Sequence, residues 1–97
     1  MKRDALTDLQ QLPNVGPATA RDLRRVGITR PQSLAGKDAY ALYEKLCHVT
    51  GKRHDPCVID VFLSVVRYME GAPEQPWWKY TAERKCTLAA RRETATA

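Results

Sequence analysis

Apolar residues recur along this chain at helical spacing, and turn-forming residues separate the apolar stretches. A first short helix is predicted to end at Pro13, because three leucines recur before it at three-residue spacing. These are Leu6, Leu9 and Leu12. A second helix is predicted from Pro17, with Gly16 as its N-cap. Its apolar face and its terminating glycine are Ala20, Leu23, Val26 and Gly27.

Two longer helices are predicted in the middle of the chain, after a loop or single turn over 31–33. Asp38 caps the third helix, which ends at Gly51. Its inward residues are Leu42, Tyr43 and Leu46. Asp55 and Pro56 are a typical N-cap and first helical position for the fourth helix. That helix is predicted to be the centre of a bundle because its apolar surface is broad. The surface comprises Val58, Ile59, Phe62, Leu63, Val65, Val66 and Met69.

The segment GAPEQP, residues 71–76, breaks the helical pattern, and WWKYTAERKC then predicts a short last helix. No alternation typical of strands is present. The sequence therefore predicts an all-α fold, a compact bundle of four to five short helices that contains a helical hairpin. We expect one domain over 1–86 with the hairpin at 5–27, followed by a basic, flexible tail over 87–97.

The charge of the chain is positive and unevenly distributed. Sixteen Lys and Arg residues against eleven Asp and Glu residues give a net charge of +5 and a pI near 9.4. Residues 1–30 carry six basic and three acidic side chains, 31–70 carry five of each, and 71–97 carry five and three. This balance favours an anionic partner.

Cysteine content and hydropathy indicate a cytoplasmic location. Cys47, Cys57 and Cys86 cannot all pair within the chain, and the first residues lack the apolar run of a secretory signal. The longest apolar segment, 58–66, contains Asp60 and is far shorter than the roughly 20 residues that cross a bilayer. We therefore expect a cytoplasmic protein with reduced thiols and no membrane contact.

The segment LPNVGPATARDLRRVGI, residues 12–28, places a tight turn directly before a helix. Unpaired N–H groups and the positive end of the helix dipole stabilise an anion at such a position. Pro17 has no N–H, which leaves four candidate donors: Val15, Gly16, Ala18 and Thr19. One helical turn later, Arg21 and Arg25 have the spacing to flank a phosphodiester backbone. The alternative is that the turn is only a connection and that these arginines, with Arg24, form a solvated face.

This segment resembles the helix-hairpin-helix motif, which implies sequence-independent DNA binding through backbone amides that contact phosphates. The resemblance implies that Val15 anchors the hairpin in the core and that Gly16 approaches the phosphate. It also implies support from two side chains, those of Thr19 and Arg21. Asn14 replaces the first hairpin glycine and can adopt a positive φ, whereas Ala18 stands where DNA binders often have lysine. The candidate DNA-binding residues are Asn14, Gly16, Ala18, Thr19, Arg21, Arg24 and Arg25.

A second resemblance covers roughly residues 5–85. The stretch GKRHDPCVIDVF follows a helix ending LCHVTG and precedes a Pro-Trp-Trp segment. This combination is similar to the small bacterial family labelled pathogenicity locus, also labelled mitomycin resistance-like helix-hairpin-helix proteins. The turn with Asn in place of Gly is also similar to the C-terminal domain of TfoX-type competence regulators. Both resemblances imply a fold and a class of partner, and neither implies a defined activity.

Four potential metal ligands lie close together in the order Cys-His-x5-His-x2-Cys: Cys47, His48, His54 and Cys57. The order lacks the paired knuckles of common zinc sites, and adjacent helical residues point about 100° apart. We therefore expect no metal, with a structural metal at this cluster as the alternative. Cys57 also lies near a helix start that lowers a thiol pKa, although Asp55 opposes this effect, so a redox-sensing thiol is a further alternative.

Aromatic residues cluster near the last helix, at Trp77, Trp78 and Tyr80, among basic residues. They are candidates for stacking single-stranded bases or for closing the core. We favour the core, because a small domain with one Phe needs large apolar side chains.

The function that we expect is a non-catalytic module that binds DNA weakly and without sequence preference. No paired carboxylates, nucleophile with a base, or Walker-type loop is visible in the sequence, so neither an enzyme nor a cofactor is expected. The alternative is a protein-interaction adaptor in which the hairpin is structural and an exposed Trp and Arg surface meets another protein. Ala18, which stands in place of a basic residue, favours the adaptor function. The excess of basic side chains in the first thirty residues favours DNA binding.

Overall fold

The computed structural model describes the backbone of residues 3–96 and the side chains of residues 3 and 5–92, and every regular element in that range is helical. The α-helices are α1, Pro17–Arg25; α2, Ala39–Thr50; α3, Cys57–Met69; and α4, Thr81–Thr96. The 3-10 turns are Arg3–Ala5, Leu9–Gln11, Pro31–Leu34 and Trp77–Tyr80. The predicted all-α bundle of short helices is confirmed. The outermost positions of the predicted domain and tail, residues 1, 2 and 97, lie outside the described residues.

The N-terminal arm of the predicted hairpin consists of two 3-10 turns, Arg3–Ala5 and Leu9–Gln11, where the sequence predicts one short helix. The Asp8 carboxylate accepts the backbone N–H of Gln10 at 2.8 Å, and the side-chain oxygen of Gln11 accepts that of Asp8 at 3.0 Å. These reciprocal bonds start a new turn at Leu9. All three leucines of the repeat are nevertheless buried, because a three-residue spacing matches the period of a 3-10 helix.

Helix α1 begins and ends where the sequence predicts. Gly16 is the N-cap, and Pro17 occupies the first helical position. At the other end Gly27 has a φ of 91°, and the N–H of Ile28 donates to the carbonyl of Leu23 at 2.9 Å. The predicted apolar face is buried: Ala20, Leu23 and Val26. This face packs on α2 and on the Leu9–Gln11 turn, so the opposite face of α1 is exposed.

Helices α2 and α3 also follow the sequence closely. The Asp38 carboxylate accepts the first N–H groups of α2, and Gly51 ends that helix with a φ of 71°. Helix α3 starts one residue later than expected, with Pro56 as the N-cap residue. The carboxylate of Asp55 still accepts the N–H of Cys57 at 2.9 Å. Helix α3 is the central helix, since it contacts α2, α4 and two of the 3-10 turns.

Helix α4 is longer than the sequence predicts, and residues 87–96, predicted as a tail, are its continuation. Its docking depends on a buried carboxylate in α3. Asp60 is fully buried, and its oxygens accept the Nε–H of Arg84 at 2.9 Å and the hydroxyl of Thr81 at 2.7 Å. Leu88 then packs at the edge of the core. Because α4 is mostly polar, its contacts with the rest of the fold cannot be predicted from apolar periodicity.

The core draws on elements throughout residues 3–96. Buried apolar side chains come from the N-terminal turns and from α1, α2, α3 and Tyr80. Phe62 and Val65 of α3 are fully buried at its centre. None of the described helices combines the length and the hydropathy that a membrane crossing requires.

Candidate nucleic-acid interface

The turn before α1 is anchored to the rest of the fold by Asn14. Its φ of 68° confirms the predicted positive value. Its side-chain nitrogen donates to Ser64 Oγ at 3.1 Å and to the Gln75 carbonyl at 2.9 Å. Ser64 is buried and donates its own hydroxyl to the Val61 carbonyl at 2.6 Å. Because both N–H donors of the Asn14 side chain are used inside the protein, this residue positions the turn.

The N-terminus of α1 presents free backbone N–H groups. Gly16 caps the helix with no side-chain hydrogen bond, and its carbonyl accepts the first helical bond at 3.0 Å. Within residues 3–96, three amide groups here have no hydrogen-bond partner: Gly16, Ala18 and Thr19. Val15 was the fourth predicted donor, and that prediction is wrong because its N–H donates to the Leu12 carbonyl at 3.4 Å. The side chain of Val15 is buried and anchors the turn as expected.

Three arginines occupy the exposed face of α1: Arg21 follows these N–H groups by less than one turn, and Arg24 and Arg25 lie in the last turn of the helix. At about 100° per residue they span about 100° of the helix circumference. Arg25 contacts Asp22 at 3.4 Å, and these side chains are 47% and 23% exposed. Such an exposed pair is weak. Arg21 and Arg24 form no ion pair with any described residue, so all three guanidinium groups can contact an external anion.

Two lysines that the sequence analysis did not identify lie next to these arginines. The Nζ of Lys45 lies 3.7 Å from the position that a Cβ at Gly27 would occupy, just beyond the end of α1. Lys52 lines a groove of about 420 Å³ together with Arg25, Val49 and Thr50. Neither lysine is ion-paired within the described part of the chain. We call the resulting patch the basic surface: Arg21, Arg24, Arg25, Lys45 and Lys52.

The charge distribution along the sequence did not indicate the two lysines, because residues 31–70 carry equal numbers of basic and acidic side chains. In the structure, three carboxylates of this segment are paired with arginines that do not belong to the basic surface, although Glu44 and Arg53 line a groove with Lys52. The pairs are Asp38 with Arg91, Glu44 with Arg53, and Asp60 with Arg84. The hydrogen bonds from Arg53 also hold the pKa of Glu44 below its usual value. The lysines are therefore left with uncompensated charge that only the tertiary arrangement reveals.

The cysteines and histidines of the candidate metal cluster have separate environments. Cys47 is buried in α2, whereas His48 is exposed. The Nε2 atom of His54 lies 2.8 Å from Thr50 Oγ1, and the carbonyl of His54 accepts the hydroxyl of Tyr43. Among the side chains that the structure describes, those of residues 3 and 5–92, no three of His, Cys, Asp or Glu converge where they could hold a metal ion.

Cys57 lacks the lowered pKa that a redox-sensing thiol requires. Burial raises the pKa of Cys57, and the hydrogen bond and negative charge of Asp55 raise it further. The charge of Asp60 acts in the same direction, and only the positive charge of Arg84 lowers this pKa. The structure therefore gives no physical support to the redox-sensing alternative.

The aromatic cluster before α4 divides between core and surface. Tyr80 is 7% exposed and belongs to the core. Trp77 is half-buried, and Trp78 is 59% exposed. The two indole rings meet edge to face with their centroids 5.7 Å apart. The core interpretation therefore holds for Tyr80, while Trp78 adds an exposed apolar surface.

Comparisons with known proteins agree with one of the two family resemblances. A family model described as "Pathogenicity locus" matches residues 2–86. The chain is also 46% identical over 83 residues to "Mitomycin resistance protein McrB" of Streptomyces lavendulae, which covers 86% of this chain and 79% of that protein. No solved structure matches significantly. The similarity to TfoX-type regulators stays a prediction.

Proposed function

This chain belongs to the pathogenicity locus family, and from that starting point we propose that it is a non-catalytic module that binds DNA weakly and without sequence preference. One observation carries the proposal. Unpartnered N–H groups at the start of α1 share this helix with the three arginines of the basic surface, and the ion pair of Arg25 with Asp22 is weak. A phosphodiester backbone satisfies both, because it offers anionic oxygens at regular intervals.

The proposed contacts divide between backbone and side chains. One phosphate accepts the N–H groups of Gly16, Ala18 and Thr19, with the Thr19 hydroxyl close by in sequence. Arg21 and Arg25 contact neighbouring phosphates from the next turn of the same helix. Contacts of this kind position a protein on DNA and carry no sequence information. The absence of sequence preference follows from this use of phosphates.

The number of phosphates contacted sets the expected salt dependence. About three phosphates at α1 give a slope of log K against log salt of roughly −3. If Lys45 and Lys52 also contact phosphates, the total of about five contacts raises the magnitude of the slope to about 4.5. The measured slope therefore reports whether the DNA lies on α1 alone or covers the whole basic surface.

The proposal is tested by fluorescence anisotropy with labelled duplex and single-stranded DNA at two salt concentrations. The double variant Arg21→Ala/Arg25→Ala should lower the affinity by about tenfold or more, because two charge-assisted contacts are lost. The matched control is Lys79→Ala/Lys85→Ala, which removes the same charge from exposed positions outside the basic surface. Equal affinity of the two double variants, or no binding of the wild type at low salt, would contradict the proposal.

A variant of Gly16 tests the backbone contribution separately. A Cβ at this position meets no atom within 4 Å, and the glycine has an ordinary φ of −97°. Gly16→Leu should therefore keep the fold while its side chain obstructs the neighbouring N–H groups. We expect weaker binding to all DNA sequences by the same factor, with an unchanged circular dichroism spectrum.

The exposed indole of Trp78 supports a second candidate function, the protein-interaction adaptor. A large aromatic side chain that is 59% exposed is typical of an interface residue. Trp78→Ala distinguishes the two functions. Loss of a protein partner with unchanged DNA binding favours the adaptor, whereas loss of affinity for single-stranded DNA alone indicates that Trp78 stacks on bases.

A further inference from the structure

A groove of about 550 Å³ lies between α2, the start of α3 and α4. It shares no residue with the basic surface or with the turn before α1. Its volume is in the range of small-molecule sites, which is about 300–1,000 Å³. The groove is therefore a separate candidate site that the proposed DNA contacts leave unexplained.

One residue that lines the groove has a buried polar group without a partner. Tyr40 lines it and is 8% exposed, and the Tyr40 hydroxyl is buried with no hydrogen-bond partner in the described structure. An unsatisfied buried hydroxyl is costly, so such groups are uncommon in folded proteins. Because this oxygen has almost no accessible surface, a ligand oxygen satisfies it only by displacing the side chains that cover it.

Arginines from α4 supply positive charge to the same groove. The guanidinium of Arg91 lies over the Tyr40 ring, 4.3 Å from its centroid. The contact of Arg91 with Asp38 is long, at 3.6 Å, and both side chains are about half exposed. Arg92 also lines the groove and forms no ion pair with a described residue. A ligand anion therefore competes only with one weak ion pair.

The remaining walls combine apolar side chains with the ion pair of Glu44 and Arg53. Ile59 and Pro56 come from α3 and the residue before it, and Leu88 comes from α4. The ring of Tyr43 also lines the groove, with the Arg53 guanidinium 5.4 Å from its centroid. An apolar wall with a few polar groups at one end selects ligands that have one apolar and one polar part.

We propose that this groove binds a small organic anion that carries an apolar ring, such as an aryl phosphate or aryl carboxylate. The anion contacts Arg91 and Arg92, and one of its oxygens accepts the hydroxyl of Tyr40. The ring lies against Ile59 and Leu88. Because α4 supplies both the arginines and part of the apolar wall, a bound ligand links α4 to α2.

The test is a titration of the full chain, by isothermal calorimetry, with phenyl phosphate as the probe. Inorganic phosphate serves as the anion without a ring, and benzyl alcohol as the ring without an anion. We expect phenyl phosphate to bind about tenfold more tightly than either. Equal binding of phenyl phosphate and inorganic phosphate would overturn the proposal, because it would mean that only charge is recognised.

Three variants locate the binding in this groove. Tyr40→Phe removes a hydroxyl that has no partner in the unliganded protein, so it should weaken phenyl phosphate binding several-fold without lowering the melting temperature. Arg91→Ala/Arg92→Ala should weaken it by about tenfold. Arg21→Ala/Arg25→Ala should leave it unchanged, which keeps this site independent of DNA binding. Wild-type affinity in both groove variants would refute the assignment.

Discussion

The ion pair that docks α4 on α3 allows a quantitative prediction. Asp60 is 0% exposed and Arg84 is 14% exposed, with Nε and Oδ1 2.9 Å apart. Arg84→Met keeps the aliphatic part of the side chain and removes the charge, so it leaves a buried carboxylate with only the hydroxyl of Thr81 as a side-chain donor. Breaking a buried pair in this way costs about 3–5 kcal/mol. We expect the free energy of unfolding to fall by that amount.

The size of this loss makes it easy to measure. A domain of this length has a total stability of about 5–15 kcal/mol, and 1 kcal/mol shifts its melting temperature by about 4–8 °C. Arg84→Met should therefore lower the melting temperature by on the order of 20 °C in a thermal melt followed by circular dichroism. Urea unfolding at 25 °C gives the corresponding free energy.

The matched control is the other arginine bridge between the same two helices. Arg67 and Glu83 also pair, at 2.5 Å, but their side chains are 40% and 39% exposed. Arg67→Met should cost only about 0–1 kcal/mol, because water replaces the lost partner. The double variant Asp60→Asn/Arg84→Met should recover much of the stability lost in Arg84→Met. A loss below about 1 kcal/mol for Arg84→Met would show that the guanidinium does not compensate the buried charge.

Three further predictions concern the turn, the thiols and the C-terminus. Asn14→Ala should be about 1 kcal/mol less stable than Asn14→Gly by urea unfolding, because both lose the side-chain hydrogen bonds and only alanine is strained at positive φ; equal stabilities would contradict this. Asp55→Asn should lower the raised pKa of Cys57 and increase its alkylation by iodoacetamide at pH 8, measured by mass spectrometry, since removal of a negative charge favours the thiolate; an unchanged rate would mean that burial alone sets the pKa. Deletion of residues 87–97 should reduce stability by about 1–2 kcal/mol through loss of the Leu88 contact with the core, whereas a flexible tail could be removed without effect.

Local patterns predicted the helices accurately where capping residues and apolar spacing agreed. Asp38 and Gly51 bound α2 as expected, and Pro17 and Gly27 mark α1. The pattern failed at the N-terminus, where leucines at three-residue spacing fit both an α-helix and a 3-10 turn. There the hydrogen bonds of Asp8 decide between the two. Apolar spacing also failed to predict the full length of α4, because this helix has too few apolar residues to show a helical period.

The candidate site also divides into features that the sequence predicted and features that only the structure shows. The sequence alone indicated the turn before α1, its free N–H groups and its three arginines, because these features are close together along the chain. It could not indicate Lys45 and Lys52, since two acids of the neutral segment 31–70, Asp38 and Asp60, pair with arginines from outside that segment only in the folded structure. It also could not indicate that the side chain of Asn14 is bonded to Ser64, 50 positions away.

The sequence by itself determined the all-helical fold, the ends of the central helices and the positively charged character of the chain. These properties depend on neighbouring residues, whose spacing, capping and charge can be read directly. The tertiary structure decided which charges remain free, which hydroxyl is left unpaired and how α4 is held. Asp60 and Arg84 lie 24 positions apart, and Tyr40 and Arg91 lie 51 apart. Such pairings depend on how helices pack, and no local pattern specifies them.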